Sequence, residues 1–256
     1  MRVLVTRPQP DAAHLSRRLE TLGHSVLVDP LLSVTWLDLP PCAATGAPQA
    51  PPQLLPQPYG GVIATSQNAL RAIARHPAVL ARLRPHTLYA VGPATAALAR
   101  THGFADIVEG PGTAAQLAAT IEERLPLPAA PLLSLTAETA AFDMVAALQA
   151  HGIPTKSWPV YRMTPAQALQ PETLRALQAC EIAAVILLSA YTARTYATLI
   201  LVHNQLENIR NIAHLCLSEA CTAPLRPLGP LTVRQAARPD IEELLALAGS
   251  EVTSLP

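Results

Sequence analysis

Short apolar runs rich in β-branched residues recur along this chain, at Val3–Val5, Val26–Val28, Val62–Ala64, Thr87–Val91, Leu132–Leu135, Val185–Leu188, Leu215–Leu217 and Leu231–Val233, separated by Ala/Leu-rich stretches of helical character. Strands alternating with helices at this spacing predict βαβ units, and so an α/β fold of parallel sheets with helices on both faces. Several helical stretches run into glycine, as in Leu19-Glu-Thr-Leu-Gly23, Leu98-Ala-Arg-Thr-His-Gly103 and Leu148-Gln-Ala-His-Gly152. These are signals for left-handed helix C-caps.

The pattern occurs twice. Val3-Leu-Val-Thr-Arg-Pro8 opens a series that ends at Pro30-Leu-Leu32, and Leu132-Leu-Ser-Leu-Thr136 opens a matching one that ends at Pro159-Val-Tyr161. Val62-Ile-Ala-Thr-Ser-Gln-Asn-Ala69 is echoed by Val185-Ile-Leu-Leu-Ser-Ala-Tyr-Thr-Ala193, and Ala90-Val-Gly-Pro-Ala-Thr95 by Leu215-Cys-Leu-Ser-Glu-Ala-Cys221. A repeated α/β unit implies two similar domains, with a ligand site expected between the copies. The first copy's opening is separated from its continuation by the whole second copy. The chain therefore reads as one discontinuous domain, 1–33 with 166–256, and an inserted one, 34–165. Leu31-Leu-Ser-Val34 and Trp158-Pro-Val-Tyr161 would cross between them as a short two-stranded hinge.

Residues 38–59 break the pattern, with seven prolines (40, 41, 48, 51, 52, 56 and 58) and no hydrophobic period. Each proline removes a donor and fixes φ, so this stretch predicts an exposed polyproline-like loop rather than helix or central strand.

Composition narrows the function. At 256 residues the chain can bury a real core in each of two domains, and with only 4% aromatic residues that core must rest on Ala, Leu, Val and Ile. Eighteen basic residues balance eighteen acidic ones, and Lys156 is the only lysine. Without a basic stripe, nucleic acid is not the expected partner. No stretch reaches the ~18 apolar residues of a membrane span, and the chain opens on a strand rather than a signal peptide. Cys42, Cys180, Cys216 and Cys221 show neither metal spacing nor a dense disulfide pattern. A cytoplasmic protein with reduced thiols, and a monomer, is expected.

The chemically suggestive residues follow the strands: Thr6-Arg7-Pro8, Thr65-Ser66, Gly92-Pro-Ala-Thr95, Gly110-Pro-Gly-Thr113, Ser189 and Ser218. Ligands of open parallel sheets bind outside the carboxyl ends of strands, and helix starts favour anions. Hydroxyls at those places can equally be N-caps that meet no ligand. His24, His102 and His151 adjoin helix ends, where a charged imidazole suits the dipole; with the other histidines scattered and no HExxH, no metal is expected. GxGxxG, GxxxxGK[ST] and GxSxG are all absent, so no nucleotide cofactor is expected either.

These residues resemble the uroporphyrinogen-III synthase family over nearly the whole chain apart from the proline-rich insertion. The likeness rests on Val3-Leu-Val-Thr-Arg-Pro8, Thr65-Ser-Gln-Asn-Ala69, Ala90-Val-Gly-Pro-Ala-Thr-Ala96, Pro159-Val-Tyr-Arg162 and Leu187-Leu-Ser189. The resemblance implies two α/β domains joined by a two-stranded ladder, with the active site in the cleft. It implies cyclisation of hydroxymethylbilane to uroporphyrinogen III, with loss of water and inversion of the last pyrrole ring, and no cofactor or metal. Tyr161 would assist departure of the hydroxyl. Thr95 matches a cleft threonine, and Thr65 and Ser66 a substrate-contacting loop. With these, Thr6, Arg7, Gly92, Ser189, Ser218, Cys221 and Thr222 form the expected substrate-binding set. The plainer role for Tyr161 is an aromatic that packs the hinge.

The chain also departs from the family pattern. Cys221, with Thr222 beside it, stands where the second copy's threonine is expected. Thr136-Ala-Glu-Thr139 replaces a loop that often holds glycine and a basic residue. Two other readings stay open: a non-catalytic tetrapyrrole-binding relative, and a two-lobed small-molecule binding protein.

Overall fold

The computed structural model describes residues 1–38, 59–125 and 130–249; of the expected proline-rich loop, 39–58 lie outside them, as does Cys42. The chain opens with β1 (Arg2–Val5), α1 (Asp11–Thr21), β2 (Ser25–Val28) and β3 (Leu32–Trp36). There follow β4 (Gly61–Ala64), α2 (Gln67–Ala74), α3 (Pro77–Leu83), β5 (Leu88–Ala90), α4 (Pro93–Thr101), β6 (Ile107–Glu109), α5 (Ala114–Arg124), β7 (Leu132–Ala137), α6 (Met144–Ala150) and β8 (Thr155–Pro165). The remainder is α7 (Pro171–Gln178), β9 (Ile182–Leu187), α8 (Ala190–Val202), β10 (Ala213–Cys216), α9 (Glu219–Thr222), β11 (Thr232–Gln235) and α10 (Ile241–Gly249).

Two compact units result, Met1–Ser33 with Thr164–Pro256, and Val34–Met163. The first holds a sheet of order β11-β10-β9-β1-β2; the second, read from its far edge, runs β6-β5-β4-β7-β8-β3. The five strands of the first sheet are all parallel, as are the first five of the second. The roles of the five strands of the first sheet recur in β6-β5-β4-β7-β8 of the second, which adds β3 at its edge, so the duplication read in the sequence is a duplication of topology.

The period-two alternation of each strand explains its placement. Val3 and Val5 face Ala12, Leu15, Leu19 and Leu244, whereas Leu4, between them, joins Leu177, Tyr196 and Ile200. In the second unit Ile63 packs with Leu117, Ile121 and Leu148, and Val62 and Ala64 with Leu70, Ile73 and Leu83. Helices cover both faces, which is why the strands read as continuous apolar runs. Each fully buried Leu or Ile side chain contributes roughly 1.5–3 kcal/mol. The helices stop where glycine was expected to stop them: Gly23, Gly103 and Gly152 have φ of 83°, 86° and 75°.

The two expected hinge segments do pair: they are β3 and the eleven-residue β8, neighbours at the edge of the second sheet. Leu37 N–H bonds to Val160 O (3.2 Å) and Ala166 N–H to Leu31 O (2.9 Å), so β3 runs antiparallel to β8. One feature differs from the sequence expectation, the strand β6. It has three residues, ends in Glu109 and pairs only with β5, too short and too polar to show as an apolar run.

Candidate active site

In each sheet the chain builds outward in two directions from one seam, β4 to β6 and β7 to β8 in the second unit, β9 to β11 and β1 to β2 in the first. Parallel sheets bind ligands outside the strand carboxyl ends where the order reverses. The seam of the second unit is bordered by Thr65 and Ser66 after β4 and by Thr136 to Glu138 at the end of β7. That of the first is bordered by Ser189 after β9 and by Thr6 and Arg7 after β1.

The second unit brings Tyr161 to Ser66. Pairing of β7 with β8 runs Thr136↔Pro159 and then Ala137↔Tyr161, a register shift that leaves Val160 as the extra residue of a bulge. Alternation would otherwise turn Tyr161 to the face of Ser157 and Pro159. The bulge instead puts Trp158, Val160 and Tyr161 in one core with Ala64 and Ala69. There Ser66 hydrogen-bonds the phenol, and burial raises the Tyr161 pKa above its ordinary value while that bond opposes the rise. Ser66 also caps α2, accepting from Asn68 N–H at 3.1 Å. Arg71 braces this first turn through Asn68 Oδ1 (3.0 Å) and Gln67 Oε1 (2.9 Å). Thr65 is half-buried beside Ser66.

On the opposite face of β7 and β8 a pocket of about 430 Å³ is lined by Ser134, Thr136, Glu138, Asp143, Ser157 and Pro159, among others. Arg162 grips Glu138 with two bonds of 2.5 and 2.6 Å, and this holds the Glu138 carboxyl below its usual range. The basic residue missing from the loop after β7 thus has a neighbour on β8, already paired with a carboxylate.

Further along the same edge, Gly92 starts α4, with Pro93 in the first turn and Thr95 buried behind it. A Cβ on Gly92 would come within 3.2 Å of Gly112 Cα; one on Gly110 would come within 3.1 Å of two backbone oxygens. Glycine here permits backbone to pass backbone. Among the described residues the Thr95 hydroxyl makes no side-chain hydrogen bond.

In the first unit the corresponding groups are mostly engaged. Thr6 is buried and donates to Ile186 O at 2.7 Å, stitching the seam between β1 and β9. Arg7 pairs with Asp11 at 2.9 Å. Ser189 caps α8 through Thr192 N–H (3.1 Å) and lies 2.8 Å from the Thr192 hydroxyl. Ser218 precedes α9 with its oxygen 3.6 Å from Cys221 Sγ, and Thr222 donates to Glu219 O at 3.0 Å. Cys221 is buried at the place that Thr95 takes in the second unit.

A family model described as uroporphyrinogen-III synthase HemD matches residues 13–246. The chain belongs to the uroporphyrinogen-III synthase family. Its fold is similar to that of uroporphyrinogen-III synthetase from Helicobacter pylori, with a TM-score of 0.64 and 19% identity over 98% of this chain and 100% of that one. It is also similar to a mutant uroporphyrinogen III synthase from Thermus thermophilus, at 0.59 and 16% over 100% of both chains. At these identities the likeness concerns the fold. Comparison with curated protein sequences finds no match.

Within this uroporphyrinogen-III synthase family fold, two sequence expectations change. His24 is buried with neither ring nitrogen bonded, and burial followed by the N-terminal charge lowers its pKa, so it is a neutral core residue and not a charge at a helix end. His102 is likewise lowered by burial, Arg84 and Arg71. Of the three, His151 keeps an acidic partner, Glu122, at 3.6 Å. Among the described residues no three His, Cys, Asp or Glu side chains gather as metal ligands, and no helix is long and apolar enough to cross a membrane. Cys180, Cys216 and Cys221 are free thiols, the Cys216 thiol pushed up to about 12 by burial and by Cys221.

The sequence reading left three groups without a role: the Glu138–Arg162 fork, the Arg71 brace and the bulge at Val160. Opposite charges on neighbouring strands signal the first. Pro159 inside a strand, where a ladder donor is lost, signals the last.

Proposed function

We propose that this protein is a uroporphyrinogen-III synthase, a lyase that cyclises hydroxymethylbilane to uroporphyrinogen III with loss of water and inversion of the last pyrrole ring. The observation that carries this reading is the family match over residues 13–246. The pairing of a buried Tyr161 with Ser66 supports a role for that tyrosine. In this reading the bond from the terminal methylene to its hydroxyl breaks, the departing oxygen takes a proton from the Tyr161 phenol, and water leaves. The conjugated azafulvenium cation that remains is attacked by the substituted α-carbon of the last pyrrole, and the bond from that carbon to its old bridging methylene then breaks. The cation so released on that methylene is captured by the same ring's free α-carbon, so the ring is inverted and no protein nucleophile is needed. The hydrogen lost from that free carbon as the ring regains aromaticity restores the phenol.

The protein's task is then to hold one closing geometry. A hundredfold preference for closure at the substituted carbon needs only roughly 2.7 kcal/mol, within reach of positioning and a few hydrogen bonds. Burial keeps Tyr161 protonated across the physiological range, as an acid requires. A phenol whose pKa burial raises above its ordinary value is a weak acid and gives modest help. Thr65, Ser66, Gly92 and Thr95 in the second unit and Thr6, Arg7, Ser189, Ser218, Cys221 and Thr222 in the first would meet the substrate, helix-start amides receiving its carboxylates. Free thiols support a cytoplasmic location.

The test is conversion of fresh hydroxymethylbilane by purified, chelator-treated protein without nucleotide, the oxidised products being separated by chromatography. Mainly isomer III is expected, against mainly isomer I without protein. Mainly isomer I in both would overturn the reading, and tight binding of the bilane in that case would favour a non-catalytic relative.

A further inference from the structure

We infer that Arg162, held in place by Glu138, receives a carboxylate of the substrate on the outer edge of its guanidinium. A guanidinium carries five N–H donors in a rigid plane. Glu138 occupies the inner edge, where Nε donates to Oε2 at 2.5 Å and Nη2 to Oε1 at 2.6 Å. The outer edge, formed by Nη1 and the second hydrogen of Nη2, has no partner among the described residues. Its two parallel donors match a second carboxylate, which can be gripped as a fork without releasing Glu138.

The place of Arg162 in the fold suits this task. It follows Tyr161 on β8, and Glu138 N–H donates to Tyr161 O at 2.8 Å, so the fork sits beside the backbone of the proposed acid. The Arg162 side chain is 51% exposed, open to a ligand arriving from solvent. The turns after β4, β5, β6 and β7, residues 65–66, 91–92, 110–113 and 138–143, hold neither lysine nor arginine. Arg162 thus supplies, from the neighbouring strand, the positive charge that those turns lack. A free arginine would lose rotamer freedom on binding; Glu138 has already ordered this one.

This inference rests on the synthase reading, whose substrate carries carboxylates, and its test separates the two. Turnover is compared for the parent, Arg162→Gln and the double variant Glu138→Gln/Arg162→Gln. Both side chains are exposed, so the fold is retained. The double variant has the parent's net charge and removes the guanidinium without leaving Glu138 as a bare anion. Its KM is expected to rise roughly fivefold, the upper worth of an exposed ion pair, with kcat changed less than about twofold. Arg162→Gln alone should raise KM further, because the unpaired Glu138 carboxylate then repels the substrate. A KM equal to the parent's in the double variant would overturn the inference and reduce Arg162 to the counter-ion of Glu138.

A second readout does not depend on catalysis. Uroporphyrin, a closed tetrapyrrole with carboxylate arms of the same kind, is titrated against each protein and followed by its fluorescence. Its affinity should fall about fivefold in the double variant, and the difference should fade at high salt. Equal affinities for parent and double variant would overturn the inference. If the parent makes no isomer III the synthase reading falls, and the titration still decides whether Arg162 takes a carboxylate.

Discussion

At the starts of α2 and α8 the same residue type takes the same backbone conformation. Ser66 has φ −157° and Ser189 φ −150°, and each accepts a hydrogen bond from an amide of the helix it opens. They differ in what else the hydroxyl meets. That of Ser189 stays within its own helix, on Thr192, while that of Ser66 reaches Tyr161 on β8. At the seams the contrast repeats: Thr6 closes the one between β1 and β9, whereas a pocket lies beside the end of β7. One topology repeated twice therefore carries two kinds of strand end, one engaged in holding itself together and one presenting groups. The proposed acid belongs to the second.

The cores invert the contrast. Tyr196 and His214 of the first unit are bonded at 3.2 Å in full burial. The equivalent places, seven residues past each N-cap serine and the register partners of Val185 and Val62, are Ile73 and Leu88 in the second unit. Burial lowers the His214 pKa to about 4 from 6.5. Its charged form is disfavoured in the folded state, so stability present above pH 6.5 is lost as pH falls toward 4. The loss amounts to about 3 kcal/mol. Urea unfolding followed from pH 7 to 4.5 should show it, and the double substitution Tyr196→Ile with His214→Leu, which copies the second unit, should remove most of it. An unaltered acid slope would refute this source.

A smaller effect is expected at the ends of β6 and β11. Gly110 and Ala236 make the same ladder bond, to Ala90 O (2.8 Å) and to Cys216 O (3.0 Å). Gly110→Ala forces a methyl against two backbone oxygens at 3.1 Å. The expected cost is roughly 1–3 kcal/mol, whereas Ala236→Gly should cost about 1 kcal/mol or less. Thermal melts would check both, and equal losses would mean that the two loops pack alike.

The smallest effect should come from Ser189→Gly. A cap serine replaced by glycine loses a few tenths of a kcal/mol, which a thermal melt would check. A loss above about 1 kcal/mol would mean that Ser189 does more for the fold than cap α8.

The fold was legible because its signals are local and doubled: apolar runs of strand length, glycines at helix ends, and the same order twice. Edge strand β6 was not, since a three-residue strand ending in Glu109 has no apolar period to show. His24 and His102 misled because a histidine next to a helix end looks alike in sequence whether it is solvated and charged or buried and neutral. The strand-end residues could be named, but their differing engagements could not. Whether Thr6 bonds Ile186 or a ligand, and whether Ser66 meets Tyr161, depends on contacts more than ninety residues apart in the chain and on a one-residue bulge.

The most direct test is the turnover of Tyr161→Phe. The substitution removes one hydroxyl from a side chain whose ring packs with Trp158, Val160 and Ala64, so the melting temperature should stay nearly unchanged. If the phenol assists hydroxyl departure, kcat should fall by several-fold to about a hundredfold, and the product formed should still be mainly isomer III. Turnover equal to that of the parent would contradict the account and reduce Tyr161 to a packing residue of β8.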